Sequence, residues 1–268
     1  MVFETLTYEV ADEIATITLN RPAKMNAYTA QMGREIVEAM GQADGAADVR
    51  AIIMTGAGRA FCAGADISTF ASNIDARETG QTPRSSEGRE AMLSYPHLMR
   101  TMSKPSIVAI NGYALGVGAT MTLPCDIRIM AEDAKIGFIF PRVGLMTELG
   151  SSYFLPRLIG VARATEMLLT GRQYSATECF AMGLVTRVVP ARELIEAARQ
   201  LAKEILLGSP TSIALTRHAI HAGQIGTMES AMEFEASALE KCYTSLEHKE
   251  YVAAFMEKRR PDMRRLRD

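Results

Sequence analysis

The most constraining feature of this sequence is a repeated junction of strand, small residues and helix. Ser106 to Ile110 is short, apolar and β-branched, which reads as a buried strand. Asn111-Gly112 breaks it, and Gly116-Val117-Gly118 precedes a further apolar run that reads as helix. The same order recurs earlier: the strand Arg50 to Thr55, then Ala60-Phe61-Cys62-Ala63-Gly64-Ala65-Asp66, then a helix with Asp66 as its expected cap. A helix start offers backbone N–H groups with no partner inside the helix, at the positive end of its dipole. Small residues let a ligand approach those groups closely. Two such loops could supply two converging donors for a developing oxyanion. Each junction taken singly is also what any tight strand-to-helix connection looks like.

The rest of the chain fits an α/β winding. Leu6 to Val10 and Ile14 to Leu19 alternate about Asp12-Glu13, a hairpin pattern. Thr29 to Asp44 places Met32, Ile36, Val37 and Met40 at helical spacing. The stretch from Asn73 to Glu87 is the most polar and reads as a loop that is either folded over a cleft or mobile. Glu87 to Met102 reads as a helix that leads into the central strand. Strands stop near Pro190. Beyond it, Glu193–Leu207, Thr211–Ala222, Thr227–Thr244 and His248–Arg260 read as helices, separated by Gly208-Ser209-Pro210 and Gly223 to Gly226.

Composition narrows the function. The 268 residues are 48% hydrophobic, ample for a core, and carry a net charge of −2. With no long basic run, nucleic acid is not an expected partner. Cys62, Cys125, Cys179 and Cys242 form no CxxC pair, which fits reduced thiols and argues against a zinc site. With no signal peptide or membrane span in the sequence, a cytoplasmic location is expected. Gly56-Ala57-Gly58 starts a dinucleotide-loop pattern, but Phe61 stands where its third glycine belongs. Ser151-Ser152 lacks the GxSxG context of a serine hydrolase. His218 and His221 have metal spacing on a helix but no evident carboxylate partner.

Taken jointly, the motifs resemble the crotonase family, the enoyl-CoA hydratase/isomerase family. The matching pieces are Arg21-Pro22 with Asn26-Ala27, Phe61 to Ile67, Lys104-Pro105 leading to Asn111-Gly112-Tyr113-Ala114-Leu115-Gly116, and Cys125-Asp126-Ile127-Arg128. Leu155-Pro156-Arg157, Leu169-Thr170-Gly171, Ala181 to Val185 and Phe255 to Arg259 complete the set, in family order along nearly the whole chain. The resemblance implies an α/β fold: a crotonase-like spiral of ββα units over residues 1–195 with the acyl-CoA site, and an α-helical trimerisation region over residues 196–268. It implies an acyl-CoA substrate, no cofactor beyond the coenzyme A of that substrate, and a homo-trimer or hexamer.

The resemblance also assigns roles. The thioester oxygen would sit between the N–H groups of Ala65 and Val117. Ala63, Asp66 and Ile67 would contact the coenzyme, with Lys258 meeting its phosphates. Valine at 117 stands where glycine is usual. It keeps the donor but tolerates positive φ poorly, so ordinary backbone geometry is expected there. The two usual glutamates are missing, since their positions hold Thr120 and Phe140. A third position, used by family isomerases, holds Glu148. Leu145, Met146 and Leu149 around it suggest a partly desolvated carboxyl with a raised pKa. On bare sequence Glu148 could equally be a surface residue capping the helix that starts near Gly150. The expected reaction is double-bond migration, with hydration by a single glutamate as alternative; a non-catalytic acyl-CoA-binding oligomer is the contrasting class.

Overall fold

A computed structural model describes residues 3–66, 78–79 and 89–262. The expectations for Ile67 and for most of the stretch from Asn73 to Glu87, and the helix expected after Asp66, lie outside the described residues. The chain divides into two compact units, the first reaching Ala202 and the second taking the residues from Lys203 on together with Ser103–Pro105.

The first unit is built on strands β1 (Leu6–Ala11), β2 (Ile14–Leu19), β3 (Ala51–Gly56), β4 (Ala60–Cys62), β5 (Ser106–Ile110), β6 (Tyr113–Leu115), β7 (Ile127–Ala131), β8 (Lys135–Gly137), β9 (Gln173–Ser175) and β10 (Arg187–Val189). The hairpin forms as the alternation predicts: Leu6 pairs with Leu19, and Asp12 and Glu13 both take positive φ. That geometry matches the twist of the two strands it joins. One sheet has the order β1-β2-β3-β5-β7-β10 and the other β4-β6-β8-β9. Successive strand pairs, β3 with β4, β5 with β6, β7 with β8, place one strand in each sheet. This is the spiral of ββα turns. Strands β3, β5 and β7 pair in parallel, and every residue of β5 is buried. A central parallel strand covered on both faces needs an unbroken apolar run, which Ile107–Ile110 supplies, while the buried Ser106 hydroxyl donates to Asp126 (2.8 Å).

The turns of the spiral stack through backbone. A Cβ on Gly112 would lie 2.1 Å from the Arg59 carbonyl oxygen, and one on Gly118 would lie 2.1 Å from that of Cys62. Asn111 therefore acts across layers: its Oδ1 accepts from the Gly56 N–H (3.1 Å), and its Nδ2 donates to the Gly58 carbonyl (3.0 Å).

Helix α1 (Ala30–Gly45), capped by the Thr29 hydroxyl, which accepts from the Met32 N–H (3.2 Å), packs on α2 (Arg89–Thr101). The helix after Gly116 is shorter than its apolar run implies: α3 covers only Val117–Thr120. Helices α4 (Ser151–Ile159), α5 (Val161–Thr170) and α6 (Ala176–Ala181) follow, and the division between the units falls along α7 (Leu194–Ile205).

The second unit carries α8 (Pro210–Gly223), α9 (Met228–Thr244) and α10 (Leu246–Met256). Glu247 anchors the start of α8 by accepting from the Thr211 N–H (3.0 Å) and hydroxyl (2.9 Å). The His218 ring packs on Phe234 at 5.0 Å. Leu239 and Phe255 are exposed, whereas Phe234 and Tyr251 are half-buried. No helix among the described residues is long and apolar enough to cross a membrane.

The stacking contact separates two glycines. Gly118→Ala is expected to destabilise the chain by at least about 1–3 kcal/mol, because a carbonyl must move to admit the methyl. Gly41, exposed in α1 with nothing within 4 Å of a built Cβ, should instead stabilise by about 0.5–1 kcal/mol as alanine. Urea unfolding of both variants measures the contrast.

Candidate active site

Residues 21–28 strap the first small-residue loop to the body of the spiral. Asn26 is fully buried and takes positive φ. Its Oδ1 accepts from the Arg21 N–H (2.8 Å), while its Nδ2 donates to the carbonyls of Ala57 (2.9 Å) and Ala60 (2.8 Å). The Ala63 N–H donates to Met25, and Tyr28 pairs with Ala65 in a parallel bridge. In that bridge the Tyr28 N–H donates to Gly64 (2.8 Å) and the Asp66 N–H donates to Tyr28 (3.0 Å). Ala65 therefore turns its own N–H to the side away from Tyr28.

The second donor is held by the spacing of the layers. Val117 is the first residue of α3 and is buried. The positive φ required at this junction falls on Gly116 (φ 53°) and, in the first loop, on Gly64 (φ 110°). Val117 has ordinary geometry, as its β-branching demands. A Cβ on Gly116 would lie 3.9 Å from the Gly64 Cα, so the residues just ahead of Ala65 and Val117 are in contact. Among the described residues nothing accepts from either N–H.

Glu148 lies between the 3-10 turn Phe140–Val143 and α4. Its side chain does not cap α4. The backbone carbonyl does that work, accepting from the Ser151 N–H (3.0 Å) and Ser151 Oγ (2.8 Å). The left-handed residues Leu149 (φ 52°) and Gly150 (φ 72°) complete the entry to the helix. Burial pushes the Glu148 carboxyl up to about 7. The sequence attributes that desolvation to Leu145, Met146 and Leu149, and this is only one-third right: Leu145 and Met146 are exposed, and Leu149 alone is buried. The cause of the error is geometric, since irregular backbone does not keep sequence neighbours on one side.

The sequence gives no role to Tyr28. Its phenol is pushed well above its ordinary value by burial and then by the charge of Glu148, which sets the two groups within electrostatic reach of each other. A small cleft is lined by Tyr28, Gly33, Ile36, Tyr95, Met121 and Leu149. An aromatic residue following Asn26-Ala27, five positions before a glycine inside a helix, is the signal that could have found it.

The Asp66 carboxylate pairs with Arg21 at 3.2 Å. The Ala63 N–H donates to the Met25 carbonyl (3.0 Å). Lys258 is exposed at the end of α10, with positive φ. Thr120 is fully buried and donates its hydroxyl to the Val117 carbonyl (3.2 Å); Phe140 is buried.

The family model for enoyl-CoA hydratase/isomerase matches residues 9–265. A 1,2-epoxyphenylacetyl-CoA isomerase of Escherichia coli is 33% identical over 97% of this chain and 98% of its own. A short-chain-enoyl-CoA hydratase of Clostridium acetobutylicum is 31% identical over 97% of both chains. Among solved structures, an enoyl-CoA hydratase from Bacillus anthracis superposes with a TM-score of 0.86 at 33% identity, covering 97% of this chain and 98% of that one.

Two measurements test the geometry. Asn26→Ala removes three hydrogen bonds and takes the amide donor from the buried Ala60 carbonyl and the half-buried Ala57 carbonyl, so it is expected to cost about 2–4 kcal/mol in urea unfolding. The second is a pH series. The pKa of Glu148 rises on folding from the ordinary 4.5 to about 7. The folded chain holds the proton more tightly, so stability falls as pH rises through that window. Glu148→Gln stays neutral throughout. It should match the wild type near pH 4 and exceed it by about 3 kcal/mol at pH 8.

Proposed function

The chain belongs to the enoyl-CoA hydratase/isomerase family, and on that premise we propose that it moves the double bond of an enoyl-CoA by a one-carboxylate proton shuttle. The N–H groups of Ala65 and Val117 hold the thioester oxygen. Polarised in this way, the carbon beside the carbonyl becomes acidic enough for a carboxylate to deprotonate. Glu148 takes the proton from carbon 2 of a 3-enoyl-CoA, giving a dienolate whose charge rests on the held oxygen. The same group returns the proton to carbon 4, and the double bond moves to carbons 2 and 3. No metal or redox group is needed, and coenzyme A arrives as part of the substrate.

The observation that carries this reading is the Glu148 carboxyl, which burial brings to about 7. A base poised near the working pH both takes and gives a proton readily. The two positions that hold glutamates in ordinary hydratases are buried here as Thr120 and Phe140, which leaves Glu148 to act alone. Hydration with Glu148 as sole acid–base group is the second reading, favoured by the hydratase names of several relatives. The coenzyme would meet the backbone of Ala63, Asp66 and Ile67, with Lys258 at its phosphates. The exposed Leu239 and Phe255 fit a trimer or hexamer, and the free cysteines fit a reducing, cytoplasmic setting.

Turnover of 3-enoyl-CoA thioesters, followed by product mass, tests the reaction. An unchanged mass supports migration; a gain of one water supports hydration. Glu148→Gln should lower kcat by about 10²–10⁴-fold while binding of a saturated acyl-CoA changes little. Thr120→Ala should have a far smaller effect. The wild-type kcat/KM should rise with pH through about 7, as the free carboxyl ionises. Variant activity within about threefold of wild type would remove Glu148 from the mechanism. For assembly, light scattering is expected to give a trimer or a multiple of it, and a monomer mass at micromolar concentration would refute it.

A further inference from the structure

We propose that Tyr28 determines the length of the acyl chain this protein accepts, its ring closing the cleft beside Glu148 against Gly33. The proposal rests on the acyl-CoA reading above and adds where the tail goes. Three residues lining the cleft adjoin the three groups of the site. Tyr28 bridges to Ala65, Met121 lies one helical turn beyond Val117, and Leu149 follows Glu148. A chain whose carbonyl lies between the two N–H groups, with its reacting carbons at Glu148, continues into this space. Gly33 and Ile36 of α1 and Tyr95 of α2 form the rest of the lining.

The lining differs in how firmly it is held. Tyr95 is buried and donates its hydroxyl to the Met121 carbonyl at 2.8 Å, which fixes that wall. Tyr28 is held instead by shape. A Cβ on Gly33 would lie 2.0 Å from the Tyr28 hydroxyl oxygen and 2.7 Å from the ring carbon that bears it. Glycine weakens a helix interior, and at this position it opens the space the phenol occupies. The ring is thus a plug at the edge of the cleft. Discrimination among homologous chains is built from such walls, each buried methylene being worth about fourfold in affinity.

Calorimetry with saturated acyl-CoAs from butyryl to dodecanoyl reads this without depending on turnover. The wild type should gain about fourfold per methylene up to a limiting length and then plateau. Tyr28→Ala should move the plateau to longer chains, tightening dodecanoyl-CoA by about tenfold or more relative to the chain at the wild-type limit. Tyr28→Phe should keep the wild-type profile, because ring size and not the hydroxyl sets the limit. Gly33→Ala, which drives the ring into the cleft, should move the plateau to shorter chains. If Tyr28→Ala does not fold by circular dichroism, Tyr28→Leu and Gly33→Ala carry the same test in opposite directions. Folded variants with the wild-type profile would overturn the proposal alone. Failure of the wild type to bind any acyl-CoA would overturn the acyl-CoA reading as well, so the two failures are distinct.

Discussion

Carbonyl oxygens of one turn of the spiral occupy the places that Cβ atoms of the next would need. Arg59 faces Gly112 in this way, and Cys62 faces Gly118. This close approach of backbone to backbone is the constraint on which the site depends. It sets the distance between the two loops and so fixes where Ala65 and Val117 present their N–H groups. A site built from main-chain donors needs no particular side chain at either position. That is why valine can stand at 117, provided the glycine before it carries the left-handed turn.

The carboxyl is placed by different means. Glu148 lies outside the regular elements, and its direction is set by a pair of left-handed residues and by two hydrogen bonds to its own carbonyl. Burial then tunes it. Nothing in the causes of its raised pKa is a charge partner, in contrast to Glu178, which serine and arginine contacts hold far below the ordinary carboxylate range. The two N–H groups are thus fixed by layer spacing, and the carboxyl is tuned by burial. The two parts of the site can vary independently, which is consistent with one family hosting both isomerases and hydratases.

Long elements were legible in the sequence because their periods run for several residues. The central strand, the first hairpin, α1 and the helices α7 to α9 fall within a residue or two of where periodicity and breaker residues put them, whereas α10 starts two residues before and ends four residues before the expected His248–Arg260. Strands β4, β6 and β8 have three residues each, too few to show a period, so the second sheet could not be read directly from pattern. The apolar run after Gly116 overstated a helix of four residues, since burial on all sides looks the same in a helix and in consecutive turns. Leu145 and Met146 misled for the related reason that irregular backbone scatters neighbours. Tyr28 was not legible as a wall of the cleft because its partner, Gly33, is an absence of side chain whose meaning appears only when the ring lies over it.

The raised Glu148 carboxyl also makes this corner of the fold a gauge of its own dryness. Its proton affinity comes from burial alone, so water admitted by a brief local opening would return it to ordinary acidity. Such openings cost less than separating the strands beneath. Mild urea or warmth would therefore alter the titration of this group while the sheets remain intact. The earliest sign of loosening would be a changed pH response in a protein whose circular dichroism had not yet moved.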